Sequence, residues 1–128
     1  MRFATTLLAL VTCFLSFSAS AQSWPDKPIR MVIPAAAGTS TDIIGRELGL
    51  RLGFALGQPV VLENIAGAGG APGTERAAKS VADGYTLVLG TIGTHSINPS
   101  IYPKLGYDSV KDFAPLAFVG YTPMLVVA

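Results

Sequence analysis

Short β-branched runs alternate along the chain with stretches in which apolar residues recur every three or four positions, and this alternation lays out its elements. Ile29-Arg30-Met31-Val32-Ile33 reads as a strand closed by Pro34, and Ala35-Ala36-Ala37-Gly38-Thr39 as a turn of small residues. From Ser40 the spacing of Ile44, Leu48, Leu52 and Ala55 predicts a helix, with Gly53 and Gly57 as candidate stops. Thr39 followed three residues later by Asp42 has the form of a capping box, Asp replacing the usual Glu. Pro59–Glu63 reads as a second strand, followed by the glycine-rich segment Gly67–Gly73. Thr74 is then expected to cap a short helix through about Val81, with Ala77, Ala78 and Val81 turned inward. Asp83-Gly84 marks a turn, Tyr85–Leu89 a third strand, and Gly90–Pro99 a polar stretch. Leu116–Tyr121 and Met124–Val127 read as two further strands, split by Pro123.

Strand, helix, strand, helix, strand predicts an α/β fold with a parallel sheet, right-handed crossovers and flanking helices. The nearly continuous apolar strands imply that both sheet faces are covered. Met124–Ala128 is an apolar strand with no turn, cap or polar tail behind it, so the chain is expected to be a fragment.

The first 21 residues follow a different logic. Arg2 gives a positive start, Phe3–Phe17 is an apolar run broken only by Thr and Ser, and Ala19-Ser20-Ala21 is a small-x-small cleavage pattern. The run falls short of the roughly 20 apolar residues of a membrane span. These features predict a signal peptide at 1–21, cleaved after Ala21, and an exported mature chain from Gln22 to Ala128. Thr12 and the continuing apolar run argue against lipidation at Cys13. Cleavage removes Cys13 and Arg2, so the mature chain has no disulfide framework and its eight basic residues balance eight acidic ones.

Composition sets the remaining bounds. At 50% hydrophobic and 13% charged, with 14 Gly and 9 Pro, the chain is neither disordered, coiled-coil nor collagen-like. A net charge of +1 without a Lys/Arg cluster gives no basis for binding nucleic acid. The Gly67–Gly73 segment puts Pro72 where a dinucleotide fingerprint needs its third glycine, and Leu89-Gly90 ends the third strand without a ribose-binding acid. No Gly-Lys-Ser/Thr run supports a phosphate loop. His95 is the only histidine, and Ser40 lies in Thr-Ser-Thr rather than a nucleophile elbow, which leaves a small hydrolase using His95 as an alternative reading. One His and scattered carboxylates make no metal ligand set.

In an open parallel sheet, ligands sit outside the carboxyl ends of the strands. Ala36–Asp42, Gly67–Gly73 and Gly90–Asn98 all follow predicted strands and carry small residues, hydroxyls and amides with almost no positive charge. Such a set suits a carboxylate held by neutral donors and helix N-termini. On pattern alone, the competing reading is ordinary turn residues brought together by chance.

A further set of motifs runs collinearly through the mature chain. It comprises Trp24–Arg30, Ser40-Thr41-Asp42, Gly57–Val61, Glu63-Asn64, Gly67–Gly70, Asp83–Leu87, Gly90-Thr91, Gly93-Thr94-His95, Ile97-Asn98-Pro99 and Tyr107–Pro115. In this order they resemble the Bug-type extracytoplasmic solute receptors of tripartite tricarboxylate transporters. The resemblance implies a periplasmic-binding-protein-like fold in which two α/β domains close on an organic acid and present it to an inner-membrane permease. It implies a monomer with no cofactor, no metal and no catalytic residue. Residues 22–128 would be the N-terminal part of the first domain only, and that domain would be incomplete. Carried onto this sequence, the resemblance assigns ligand binding to Ser40, Thr41 and Asp42 and to Thr91, Gly93, Thr94, His95 and Asn98. Gly69-Gly70 would shape the cleft floor.

The chain departs from the family pattern at two places besides its end. Ala35–Thr39 stands where the family commonly has Phe-Pro-Pro-Gly-Gly, and Ile65-Ala66 where Arg-Pro is common. Asp42 is awkward physically, because a carboxylate at a helix N-terminus competes with an anionic ligand. A degenerate gene product without function is the third reading.

Overall fold

The computed structural model describes residues 23–122. The expected signal peptide, its cleavage point and the strand at Met124–Val127 lie outside these residues. Strand β1 (Ile29–Ile33) leads into helix α1 (Ser40–Leu56), strand β2 (Val60–Asn64) and a 3-10 turn (Ala68–Gly70). Helix α2 (Ala71–Ala78), strand β3 (Thr86–Val88), a π-helical turn (Gly93–Ile97) and helix α3 (Asn98–Ile101) follow.

The three strands form one parallel sheet in the order β2-β1-β3. Ile29 faces Val60 and Ile33 faces Asn64 on one side of β1, while Arg30 faces Thr86 on the other. The most apolar strand takes the centre, and Ile29, Met31, Val32 and Ile33 are buried there. Coverage of both faces therefore holds for β1. The flanking strands are half-buried, with Val61 exposed. Right-handed crossovers that run in opposite directions across a sheet, here β1 to β2 and then β2 back past β1 to β3, put their helices on opposite faces. In agreement, Ile33 packs toward Gly45 of α1 and Pro34, next along the chain, toward Gly73 of α2.

Helix α1 begins and ends where the sequence expects. Thr39 is its N-cap, its hydroxyl accepting from the Asp42 amide at 3.4 Å, and Gly57 closes it in the left-handed conformation. Gly53 does not stop it. The buried positions are Asp42, Gly45 and Gly49, with Leu48 and Leu52 half-buried and Ile44 and Ala55 exposed. Backbone-to-sheet contact explains this. A Cβ at Gly45 would lie 2.6 Å from the Ile33 side chain, and one at Gly49 would lie 3.1 Å from Leu62.

The second helix corrects the expected boundaries. It starts at Ala71 and ends at Ala78, so Thr74 is an interior residue whose buried hydroxyl donates to the Gly70 carbonyl at 2.9 Å. Gly70 occupies the N-cap, and Pro72 sits in the first turn, where its missing N–H costs nothing. Val81 is 78% exposed rather than inward. The polar stretch after β3 is also more regular than the sequence suggests, forming the π-helical turn and α3. Conversely, Leu116–Tyr121 forms no strand. The described strands pair only with one another, and a strand without a ladder leaves its backbone groups to water.

At the amino end of the sheet, residues 24–27 are tied to the entry of β3. The Tyr85 hydroxyl donates to Asp26, Trp24 packs on the Tyr85 ring, and Lys27 pairs with Asp83 at 3.2 Å.

Candidate functional site

With β1 central, the chain leaves its carboxyl end toward β2 and later returns to the other side at β3. This is the topological switch at which an open α/β sheet forms its ligand crevice. The loops after β1, β2 and β3 all emerge at this end.

The loop after β1 is held by Asp42. Asp42 is 2% exposed, and both carboxylate oxygens are engaged. Oδ2 accepts from the Gly38 amide at 2.8 Å and from Arg46 Nε at 3.0 Å, while Oδ1 accepts from Asn64 Nδ2 at 2.9 Å. The Arg46 guanidinium first, then the Gly38 and Asn64 donors, pull its pKa down from 3.8 to about 2. Asn64, at the end of β2, also donates to the Ala35 carbonyl and accepts from Arg46 at 3.2 Å. One carboxylate thus joins the β1 loop, α1 and β2. In the capping box the acid would reach back to the N-cap amide; here it reaches one residue further, to Gly38, which has φ +83°. Ser40 is exposed and Thr41 half-buried at the same helix start, and neither hydroxyl has a hydrogen-bond partner among the described residues.

The loop after β3 is held by neutral groups. Thr91 and Thr94 form a reciprocal pair: the Thr91 amide donates to Thr94 Oγ1 at 2.9 Å, and the Thr94 amide to Thr91 Oγ1 at 3.2 Å. Thr94 Oγ1 also lies 2.8 Å from His95 Nδ1. The half-buried His95 ring packs 4.9 Å from the Phe113 ring, and burial holds its pKa below the ordinary 6.5. Tyr107, itself buried, donates its hydroxyl to the Thr94 carbonyl at 2.5 Å and accepts from Asn98 Nδ2 at 3.4 Å.

The glycine-rich turn joins this cluster to β1. Asn98 Nδ2 donates to the Gly69 carbonyl at 3.0 Å. Gly70 is buried with φ +80°, and a Cβ there would lie 2.6 Å from the Pro34 carbonyl and 2.8 Å from Thr94 Cγ2. Only a glycine lets the three loop bases close up at this point.

Of the sequence-assigned residues, Gly69, Gly70, Thr94 and Asn98 therefore meet directly, and Thr91 and His95 join them through Thr94. Gly93 is half-buried within the π-helical turn. Ser40, Thr41 and Asp42 form a separate group across Pro34. Asp42, Gly70, Thr94 and Asn98 are buried. The sequence reading did not assign Gly38, Arg46, Asn64, Tyr107 or Phe113. Arg46 was accessible as an i, i+4 partner of Asp42.

Thr94 is 1% exposed with its hydroxyl bonded within its own turn, and no carboxylate contacts His95 among the described residues, so the pair is not built as a nucleophile and base. Among the described residues no three His, Cys, Asp or Glu side chains cluster as a metal site. Two shallow hollows open on the surface, the second lined in part by Tyr107 of the neutral cluster. One, of about 380 Å³, is at the amino end beside Trp24 and Tyr85, and the other, of about 370 Å³, is beside Tyr102 and Ser109. Chain topology and the joined donor loops identify the crevice better than these open surface depressions do.

Three comparisons place these loops in a known context. A family described as tripartite tricarboxylate transporter family receptor matches residues 44–128. The BugT protein of Bordetella pertussis is 40% identical over 129 residues, a match covering 96% of this chain and 40% of BugT. Among solved structures, the periplasmic binding protein BugD is 41% identical with a TM-score of 0.69, over 72% of this chain and 30% of BugD. MatC from Rhodopseudomonas palustris with bound malate is 38% identical with a TM-score of 0.72, over 75% of this chain and 33% of MatC. The small parallel sheet with its helices is thus part of a periplasmic-binding-protein fold, and the chain spans about two fifths of the length of BugT.

Proposed function

The chain belongs to the tripartite tricarboxylate transporter receptor family, and on that premise we propose that it captures a small carboxylated metabolite in the periplasm for a membrane permease. Capture is binding without chemistry. The observation that carries this reading is the junction at Gly70, which draws the loops after β1, β2 and β3 into one rim of hydroxyls, amides and helix starts at the switch point. Neutral donors of this kind hold a carboxylate reversibly, with the helix dipole favouring negative charge. Malate bound to MatC supports a small dicarboxylate as the ligand class.

In this reading Ser40, Thr41, Gly69, Thr91, Gly93 and His95 border the ligand, while Asp42, Gly70, Thr94 and Asn98 hold the loops that carry them. Residues 22–128 contribute to the first of two lobes that close on the ligand, in keeping with the share of BugT that they match. The signal pattern at 1–21, with cleavage after Ala21, delivers the receptor to the periplasm, where it works as a monomer.

Thermal unfolding with and without L-malate tests the proposal. Ligand at about 100 times Kd adds about 2.7 kcal/mol of stability, a shift of several degrees. The dimethyl ester, which lacks both charges, is expected to leave the transition unmoved. An equal shift with the ester, or no shift with malate or any other organic acid of a panel, would overturn it.

A further inference from the structure

We propose that Asp42, Arg46 and Asn64 form a charge-compensated lock that positions the β1–α1 loop for ligand capture, with Asp42 acting through Gly38 rather than touching the ligand. This rests on the receptor reading above and refines it. Asp42 belongs among the residues that the family resemblance assigns to the ligand, yet it is 2% exposed and its oxygens already serve three donors. No edge of the carboxylate is left to meet a solute. What it controls is the amide of Gly38, two residues ahead of Ser40, and through Asn64 the carbonyl of Ala35. Both ends of the small-residue loop that replaces the family's stiffer Phe-Pro-Pro-Gly-Gly are therefore fastened by side chains.

Arg46 adds an electrostatic part. A bare carboxylate in the first turn of α1 would cancel the helix dipole and repel an incoming anion. The guanidinium, one turn along, holds Asp42 at 3.0 Å through Nε and Asn64 at 3.2 Å through a terminal nitrogen. Its charge offsets that of Asp42, and its planar fork holds both partners at once. Arg46 is the only charged side chain that contacts Asp42 among the described residues; the other partners, Gly38 and Asn64, are neutral.

The test uses the full chain, L-malate as the probe, and variants at the more exposed member of the lock. Arg46→Met is expected to weaken malate binding by about tenfold at pH 7, the scale of one hydrogen bond to a charged group. The loss is expected to be larger at low salt. As pH falls from about 5 to 3, the ratio of variant to wild-type affinity is expected to recover toward one, because an Asp42 freed from the guanidinium takes up a proton nearer the ordinary 3.8 and no longer repels the ligand. The ionisation of malate itself cancels in that ratio. Arg46→Lys restores charge without the fork and is expected to recover part of the loss.

A second readout needs no ligand. Hydrogen exchange at the Gly38 amide is expected to quicken in Arg46→Met and in Asn64→Ala. Malate affinity within twofold of wild type at every pH, or a Gly38 amide indifferent to both variants, overturns the lock while leaving the receptor reading standing. A wild-type chain that binds no organic acid overturns both.

Discussion

The loops after β1 and β3 bring polar groups to the same crevice by opposite means. The first hangs on a buried carboxylate with three donors, and the second on hydroxyls, an amide and aromatic packing. A charge fixes a loop firmly but puts a field beside any anionic ligand, so it needs the compensating Arg46. The neutral cluster adds no such field. It depends instead on close fit, since each of its bonds is individually modest. The two loops should therefore fail under different insults.

The harshest test strikes the point where the two meet. Gly70→Ala forces a Cβ against the Pro34 carbonyl and Thr94 at a φ that disfavours side chains, and the expected cost is about 3 kcal/mol. The urea midpoint should drop at unchanged slope; a midpoint within error of wild type would mean that the junction is looser than described. Tyr107→Phe acts on the neutral side alone, removing the bond to the Thr94 carbonyl, and should cost about 1–2 kcal/mol while leaving the exchange rate of the Gly38 amide unchanged. Faster exchange at Gly38 in this variant would show that the loops are not independent.

Acid should separate the two more gently. His95 has its folded pKa below the unfolded 6.5, so the unfolded chain takes up the proton first and stability is lost as pH falls from about 6.5 through the folded value. Asp42 has its folded pKa lowered to about 2, so its contribution is complete above about 3.8 and is lost between there and about 2. The neutral loop thus feels acid before the charged one. Melting temperature against pH should decline below 6.5 in wild type, and the decline should flatten in His95→Gln. An unchanged profile in that variant would remove His95 as its source.

The smallest effect calibrates the charged side. Glu47 and Arg51 share the i, i+4 spacing of Asp42 and Arg46 on the same helix but stand in solvent. Glu47→Ala should change stability by less than about 0.5 kcal/mol, whatever the salt. A larger loss would show that spacing, rather than burial, gives the first lock its strength.

β1 and α1 were legible because a β-branched run, a closing proline and a Thr–Asp cap all point the same way. The start of α2 lies before the position that Thr74 suggests, because Gly70 takes the N-cap and Pro72 fits the first turn. The π-helical turn had no period to find. Leu116–Tyr121 looked like a strand because apolar runs do, but a strand also needs a neighbour, and pairing is not written locally. At the site, residue types and loops were readable, whereas their direction was not. Thr94 and Asn98 have neutral donors suited to a carboxylate and Asp42 does not, and only the fold reveals the bonds that each already makes inside the protein.

Helix α1 is lined the opposite way from most surface helices: glycines face the sheet, while Ile43, Leu50 and Phe54 face water. Its two sides therefore obey opposite rules of mutational drift. A methyl group at Gly45 would lie 2.6 Å from the buried Ile33 side chain and force it to move, whereas one at Gly49 would need Leu62 to give by only a little, so Gly45 should be the less tolerant of the two. Phe54, 81% exposed among the described residues, should accept polar replacements in this chain at little cost. A deep mutational scan of this helix would show its most intolerant position where the side chain is absent.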